Sequence, residues 1–274
     1  MRLPDNPRVV ITGAGSGLGR ALALVLAERG ARLIVSDHNL ASVEETARLA
    51  RDAGAREVRA MPCDVTKVEQ VEALAQAADE AFGGTDLVAN NAGVGGGGRV
   101  GDITLEDWKW TIDVDLWGVI HGCHVFVPRM RKQGSGHVLN VASAAGLICG
   151  PRMAPYNVAK AGVVALSETL AAELAGHGVG VTVLCPTFFR TNITRDGRYS
   201  SEGMKQLAQK IMGRATASAD TIARASIASL ERGDLYAVPM ADGRWLWRLK
   251  RYAPAAFRVL NRTIEKRMMS RADA

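Results

Sequence analysis

The sequence predicts an α/β domain built on a doubly wound parallel sheet, and three observations predict it. β-branched runs of four to seven residues alternate with helical stretches from Arg8 to Val238. The runs are apolar almost throughout rather than at alternate positions, the pattern of strands covered on both faces. A glycine-rich segment falls where the first run meets the first helical stretch, and strand-helix-strand repetition closes into one sheet by right-handed crossovers.

In chain order, strands are expected at 8–12, 32–36, 58–63, 86–89, 137–142, 179–185 and 235–238. The intervening helices are expected at 17–29, where Ala21-Leu-Ala-Leu-Val-Leu-Ala27 is a strong helix former, and at 40–53, 67–82, about 105–132, 154–176 and 218–231. Between Pro186 and that last helix, residues 191–212 are polar and show no clear period, so an irregular lid is expected there. No repeat, low-complexity tract or linker divides the chain before its C-terminal tail.

The 274 residues carry 34 basic and 28 acidic side chains, a formal +6, which alone points to nucleic acid or anionic membrane. The excess is local. Residues 244–274 hold nine basic side chains against Glu265 and Asp273, whereas residues 1–243 hold 25 basic and 26 acidic ones. The chain therefore divides into a nearly neutral doubly wound α/β domain at 1–243 and a basic helical extension at 244–274. A neutral domain with no reading motif argues against nucleic-acid binding.

In the extension, Trp245, Leu249, Tyr252, Leu260, Ile264 and Met268 recur at spacings of one helical face, interrupted at Pro254. That face is expected to lie on a membrane surface, on a partner subunit or over the site. Cys63, Cys123, Cys149 and Cys185 are scattered, with no metal-ligand spacing and no metal expected. The first residues lack the apolar core of a signal peptide, and no apolar run approaches the ~20 residues that span a bilayer. A reducing, cytoplasmic setting is expected.

Three patterns carry chemistry. Thr12-Gly-Ala-Gly-Ser-Gly-Leu-Gly19 places Gly13, Ser16, Gly17, Leu18 and Gly19 at a strand-helix junction, where backbone amides and the positive helix end can meet a pyrophosphate. Asp37 closes the second strand 18 residues after Gly19. A carboxylate there accepts from ribose hydroxyls and repels a 2′-phosphate, favouring NAD over NADP; the alternative use is to cap the helix that follows. Tyr156-Asn-Val-Ala-Lys160 sets a phenol and an ammonium one turn apart on one helix face, where a cation lowers the pKa of a tyrosine acid/base. Ser143, at the end of a strand thirteen residues earlier, can address the same substrate oxygen.

Taken together, these residues resemble the short-chain dehydrogenase/reductase superfamily, its compact single-domain branch, over about residues 8–238. The markers occur in order: Gly13, Gly17 and Gly19; Asp64-Val65; Asn90-Asn-Ala-Gly93; Ser143, Tyr156 and Lys160; and Pro186 with Thr191. The resemblance implies an NAD-dependent oxidoreductase acting between a secondary alcohol and a ketone by a Ser-Tyr-Lys mechanism. It implies Asp64 and Val65 beside the adenine, Asn90, Ala92 and Gly93 along the adenosine side, Lys160 on the nicotinamide ribose and Thr191 near the carboxamide. It also implies a homodimer or homotetramer joined through the long helices.

Two positions depart from the family pattern: Asp115 stands where the family usually has a catalytic Asn, and Thr187 where Gly usually follows Pro186. Val94, Ala145, Cys149, Met153, Phe188 and Phe189 are expected to line the substrate pocket, an apolar set that suits a hydrophobic substrate. The alternatives are an NADPH-preferring carbonyl or acyl-thioester reductase, and a redox-silent regulatory protein of the same fold, which Asp115 keeps open.

Overall fold

Successive residues of the strands feed two different cores. In the computed structural model, which describes residues 2–272, Val9 and Ile11 of β1 (Arg8–Thr12) pack on one face of the sheet while Val10 packs on the other. Leu33 and Val35 of β2 (Arg32–Asp37) join the first core, and Ile34 joins the second. Burial on both faces is why the strand runs read as continuously apolar.

Helices α1 (Gly17–Ala27) and α2 (Leu40–Asp52) cover the first face. The strands β3 (Glu57–Pro62) and β4 (Leu87–Asn90) flank α3 (Val68–Phe82), which covers the second face. Next come the two-residue strand β5 (Gly96–Gly97) and helix α4 (Leu105–Ile112). A π-helical turn over Asp113–Trp117 joins α4 to α5 (Gly118–Gln133), so the expected helix at 105–132 is one continuous rod with a widened turn in its middle.

The second half runs β6 (Gly136–Val141), α6 (Ala144–Ile148), α7 (Ala154–Glu173), β7 (Val179–Leu184), β8 (Arg198–Tyr199), α8 (Glu202–Gly213), α9 (Ala219–Arg232) and β9 (Tyr236–Ala237). The irregular stretch expected at 191–212 is corrected by α8. Ser201 caps that helix by accepting from the Met204 amide at 3.3 Å, and Met204 is its one buried side chain. A helix with so little buried surface leaves almost no apolar period in the sequence.

Seven strands form one parallel sheet in the order β3-β2-β1-β4-β6-β7-β9, and β5 pairs with β8 outside it. The chain leaves β1 in one direction through β2 and β3, then returns to its other side at β4. That reversal opens a crevice beyond the carboxyl ends of β1 and β4, the place where such sheets hold ligands.

The extension folds back on the domain as α10 (Ala241–Tyr252) and α11 (Pro254–Ala272). Gly243 and Phe257 are buried and Trp247 packs on Tyr236 with ring centroids 4.9 Å apart, whereas Trp245 and Tyr252 point outward.

Candidate active site

The crevice begins at the turn after β1. Gly13 and Gly17 adopt left-handed backbone, at φ +64° and +53°. Side chains are excluded from this turn. A Cβ on Gly13 would lie 2.6 Å from the Ala92 Cα, and one on Gly19 would lie 2.2 Å from the Gly13 carbonyl oxygen. Ser16 heads α1 without capping it, so its hydroxyl and the first amides of the helix are not used by a side-chain cap. Leu18 anchors the start of α1 in the first core. A small, rigid, amide-rich turn on a helix N-terminus fits an anionic phosphate group.

Sequence reasoning missed the residue that braces this turn. Asn91 donates from Nδ2 to the Thr12 and Gly13 carbonyls at 2.8 and 3.0 Å, and its backbone amide donates to the Thr12 hydroxyl at 3.1 Å. The neighbouring Asn90 is turned the other way. It is 2% exposed and donates to Asn140 Oδ1 at 2.8 Å, tying β4 to β6 beneath the site. The Asn90 side chain is thus committed to the packing between strands and not turned to the crevice. Ala92 follows, its amide donating to the Thr12 hydroxyl at 3.2 Å.

Asp37 accepts from the Gly15 amide through Oδ2 and from the Asn39 amide through Oδ1, both at 3.0 Å. It does not cap α2, since Asn39 does, accepting from the Ser42 amide at 3.1 Å. The carboxylate thus stands at the carboxyl end of β2, fixed against the glycine turn. Asp64 accepts from the amide and hydroxyl of Thr66 in a tight turn after β3, and Val65 packs against Gly118. A Cβ on Gly17 would meet the Thr191 hydroxyl at 3.0 Å, and these two residues share a groove with Arg190 and Asn192.

The second group of residues gathers where β6 ends. Ser143 caps α6, its hydroxyl oxygen accepting from the Ala145 amide at 3.1 Å and its proton directed to the Pro186 carbonyl at 3.5 Å. The Ser143 hydroxyl also faces the Tyr156 phenol closely enough to favour its ionised form. Lys160 lies under the same ring, with Nζ 5.7 Å from the Tyr156 centroid and donating to the Val141 carbonyl at 3.2 Å. Gly146 lets α6 sit against α7, since a Cβ there would lie 2.5 Å from the Lys160 carbonyl.

Asp115 completes this group from the π-helical turn. It is 0% exposed, its Oδ1 accepts from the Val94 amide at 2.8 Å and lies 3.6 Å from Lys160 Nζ, and its Oδ2 is buried with no partner among the described residues. Gly93 leaves room for this pair, because a Cβ there would lie 2.9 Å from Asp115 Oδ1. Burial raises the Asp115 pKa against the opposing pull of Lys160 and of the Val94 amide.

The expected lowering of the phenol pKa is not met. Burial first, and then the Asp115 charge, raise Tyr156 above its ordinary range, while the Ser143 hydroxyl opposes them. The lysine that was expected to act on the phenol has Asp115 Oδ1 3.6 Å from its Nζ.

The pocket residues separate. Val94 is partly buried against Asp115, Ala145 against Ser143, and Met153 is partly buried beside Gly98, while Cys149 is exposed next to Lys250, whose Nζ is 3.5 Å from Sγ. Phe188 is half exposed. Phe189, expected in the pocket, is instead buried in the first core with Leu184, Ile222 and Ala237, where it packs the domain. Tyr199, absent from the expected set, packs across Gly95 and Gly97 and contributes to the electrostatics of Tyr156.

A sequence model of the family described as short chain dehydrogenase matches residues 7–201. SadH of Mycobacterium tuberculosis, named as an oxidoreductase, is 42% identical over 189 residues, which make up 68% of this chain and 68% of that protein. A short-chain dehydrogenase/reductase from Burkholderia phymatum, solved in complex with NAD, superposes with a TM-score of 0.84 at 35% identity and covers 90% of this chain and 94% of that one. Levodione reductase superposes at 0.77 with 30% identity, over 86% and 95%. The chain belongs to the short-chain dehydrogenase/reductase superfamily of oxidoreductases.

Proposed function

We propose that this protein transfers hydride between NAD(H) and a hydrophobic secondary alcohol or ketone, with Tyr156 as the acid/base. The observation that carries the reading is the convergence of Ser143 and Lys160 on one phenol, the first favouring its ionised form from the end of β6 and the second lying 5.7 Å from the ring centroid. When bound, the nicotinamide supplies the hydride acceptor or donor. The glycine turn at Gly13 to Gly19 would hold the pyrophosphate, Asp37 the adenosine ribose, and Lys160 with Thr191 the nicotinamide half. The NAD complex of the Burkholderia phymatum relative supports the cofactor class. Asp37, already fixed by the Gly15 and Asn39 amides, supports NAD over NADP by repelling a 2′-phosphate.

During oxidation Tyr156 Oη takes the hydroxyl proton of the substrate, and Ser143 Oγ donates to the substrate oxygen as charge builds on it. Lys160 holds positive charge beneath the phenolate. Asp115 orients that ammonium and, through the Val94 amide, ties the segment after β4 to the long helix. Reduction reverses these steps. Val94, Ala145 and Met153 give the substrate side its apolar character. Exposed Leu105, Trp117 and Val158 on α4, the π-helical turn and α7 support a homodimer or homotetramer joined through those helices.

The test is a spectrophotometric screen of secondary alcohols and ketones of graded size with each cofactor. The expected result is turnover that rises with apolar size and is faster with NAD(H). No turnover with either cofactor across the panel contradicts the reading in favour of a redox-silent protein.

A further inference from the structure

We propose that helices α10 and α11 form a docking face for an anionic lipid surface. The two helices have distinct sides. At 100° per residue, Arg244, Trp245, Arg248, Arg251 and Tyr252 fall within about 120° of arc on α10, and all five are exposed, Trp245 at 58% and Tyr252 at 80%. The opposite side holds the domain. Gly243 sits against Thr187, Trp247 packs on Tyr236, and Lys250 Nζ donates to the Leu147 carbonyl at 2.7 Å. Helix α11 repeats the division, with Phe257 buried inward and Arg258, Val259, Arg262 and Lys266 exposed.

The placement of the acidic side chains makes the outer face uniformly basic. Asp242 accepts from the Thr187 hydroxyl at 3.0 Å, and Glu265 pairs with Arg152 at 3.0 Å and lies 3.7 Å from Arg99. Glu265 therefore points into the domain, and Asp242, although exposed, is held to Thr187. Among the described residues, Arg248, Arg251, Arg258, Arg262 and Lys266 form no ion pair, although these cations stand on a chain whose first 243 residues are nearly neutral. Arg244 and Lys250 also bond domain carbonyls, at Val238, Pro239 and Leu147, whereas the five unpaired cations are left to the outer face.

An anionic bilayer matches that chemistry better than other polyanions do. Trp and Tyr, apolar in the ring and polar at the tip, prefer the headgroup level, and arginines around them meet lipid phosphates. A helix of 12 residues is about 18 Å long, too short for a hydrocarbon core of about 30 Å, so α10 would lie along the surface. Duplex nucleic acid would use the cations and leave Trp245, Tyr252 and Val259 in water. The proposal stands apart from the catalytic reading, because its test measures binding rather than turnover.

The experiment is flotation of the full chain with vesicles of phosphatidylcholine alone and of phosphatidylcholine mixed with phosphatidylglycerol, at low and high salt. Binding is expected only to the mixed vesicles, and it should weaken with salt. At roughly fivefold per charge, Arg248→Gln, Arg251→Gln and Arg258→Gln together should lower the partition coefficient about a hundredfold. These side chains hold nothing together in the domain, so the melting temperature should not change. Trp245→Ala with Tyr252→Ala should also weaken vesicle binding. Equal binding to both vesicles, no binding to either, or unchanged binding of the charge variant would overturn the proposal. So would a charge variant that changes the oligomer size by light scattering while the parent ignores vesicles, which would make the face a subunit contact.

Discussion

Asp115→Asn is the most informative change in the site, because it removes a charge while keeping the shape. The amide oxygen of the variant can still accept from the Val94 amide, which now donates to Oδ1 at 2.8 Å. The Asp115 charge, 3.6 Å from Lys160 Nζ, is lost. At an effective dielectric constant of about 20, opposite unit charges at that distance attract by about 4 to 5 kcal/mol, enough to offset much of the lysine's influence elsewhere. The lysine lies 5.7 Å from the Tyr156 ring centroid. Over that distance its unopposed charge stabilises a phenolate by about 3 kcal/mol, or roughly two pH units. Asp115 cancels part of this and raises the Tyr156 pKa further. The variant should therefore move the acidic limb of kcat/KM for alcohol oxidation about one to two units toward lower pH. The assay is initial rate against pH for parent and variant with the best alcohol of the screen. An unmoved limb, or one displaced toward higher pH, would refute the electrostatic coupling of the three residues.

Three further outcomes follow from the packing. Burial pushes the His137 imidazole down from its usual 6.5 to about 3. Thr182 donates to the Asp234 carbonyl, so its oxygen receives the His137 Nε2 proton, and Nδ1 is left buried with no partner among the described residues. A depressed folded pKa means that its stabilising contribution is complete above about pH 6.5 and is lost toward pH 3, at up to ~1.4 kcal/mol per unit. His137→Gln should flatten the acid dependence of the denaturant midpoint, and a parallel loss in parent and variant would contradict this. Glu265→Ala leaves the nearly buried Arg152 guanidinium without its carboxylate and should cost about 2 to 3 kcal/mol in chemical denaturation. Gly19→Ala forces a methyl group against the Gly13 carbonyl and Asn91, and should cost about 1 to 3 kcal/mol and weaken dinucleotide affinity measured by calorimetry.

Much of the sheet was legible because burial on both faces writes itself into every residue of a strand. The glycine turn was legible because close backbone approach excludes side chains. What escaped the sequence were choices between neighbours. Asn90 and Asn91 are chemically identical, and only the pleat of β4 decides that one enters the sheet and the other braces the turn. Phe188 and Phe189 differ in the same way after β7, one half exposed and one in the core. Trp245 and Trp247 are two residues apart, and it is the Tyr236 ring that selects the second for burial. Helix α8 left no period because Met204 alone is buried. The departure at Asp115 was visible in the sequence, but its consequence depended on a distance to Lys160 that no spacing encodes.

The central claim is that Tyr156 moves the proton while the rest of the site binds and orients. It is tested most directly by Tyr156→Phe, with dinucleotide affinity and turnover measured on the same preparation. The predicted result is unchanged affinity and melting temperature with turnover reduced at least a hundredfold. Turnover that stays within a few fold of the parent would contradict the assignment.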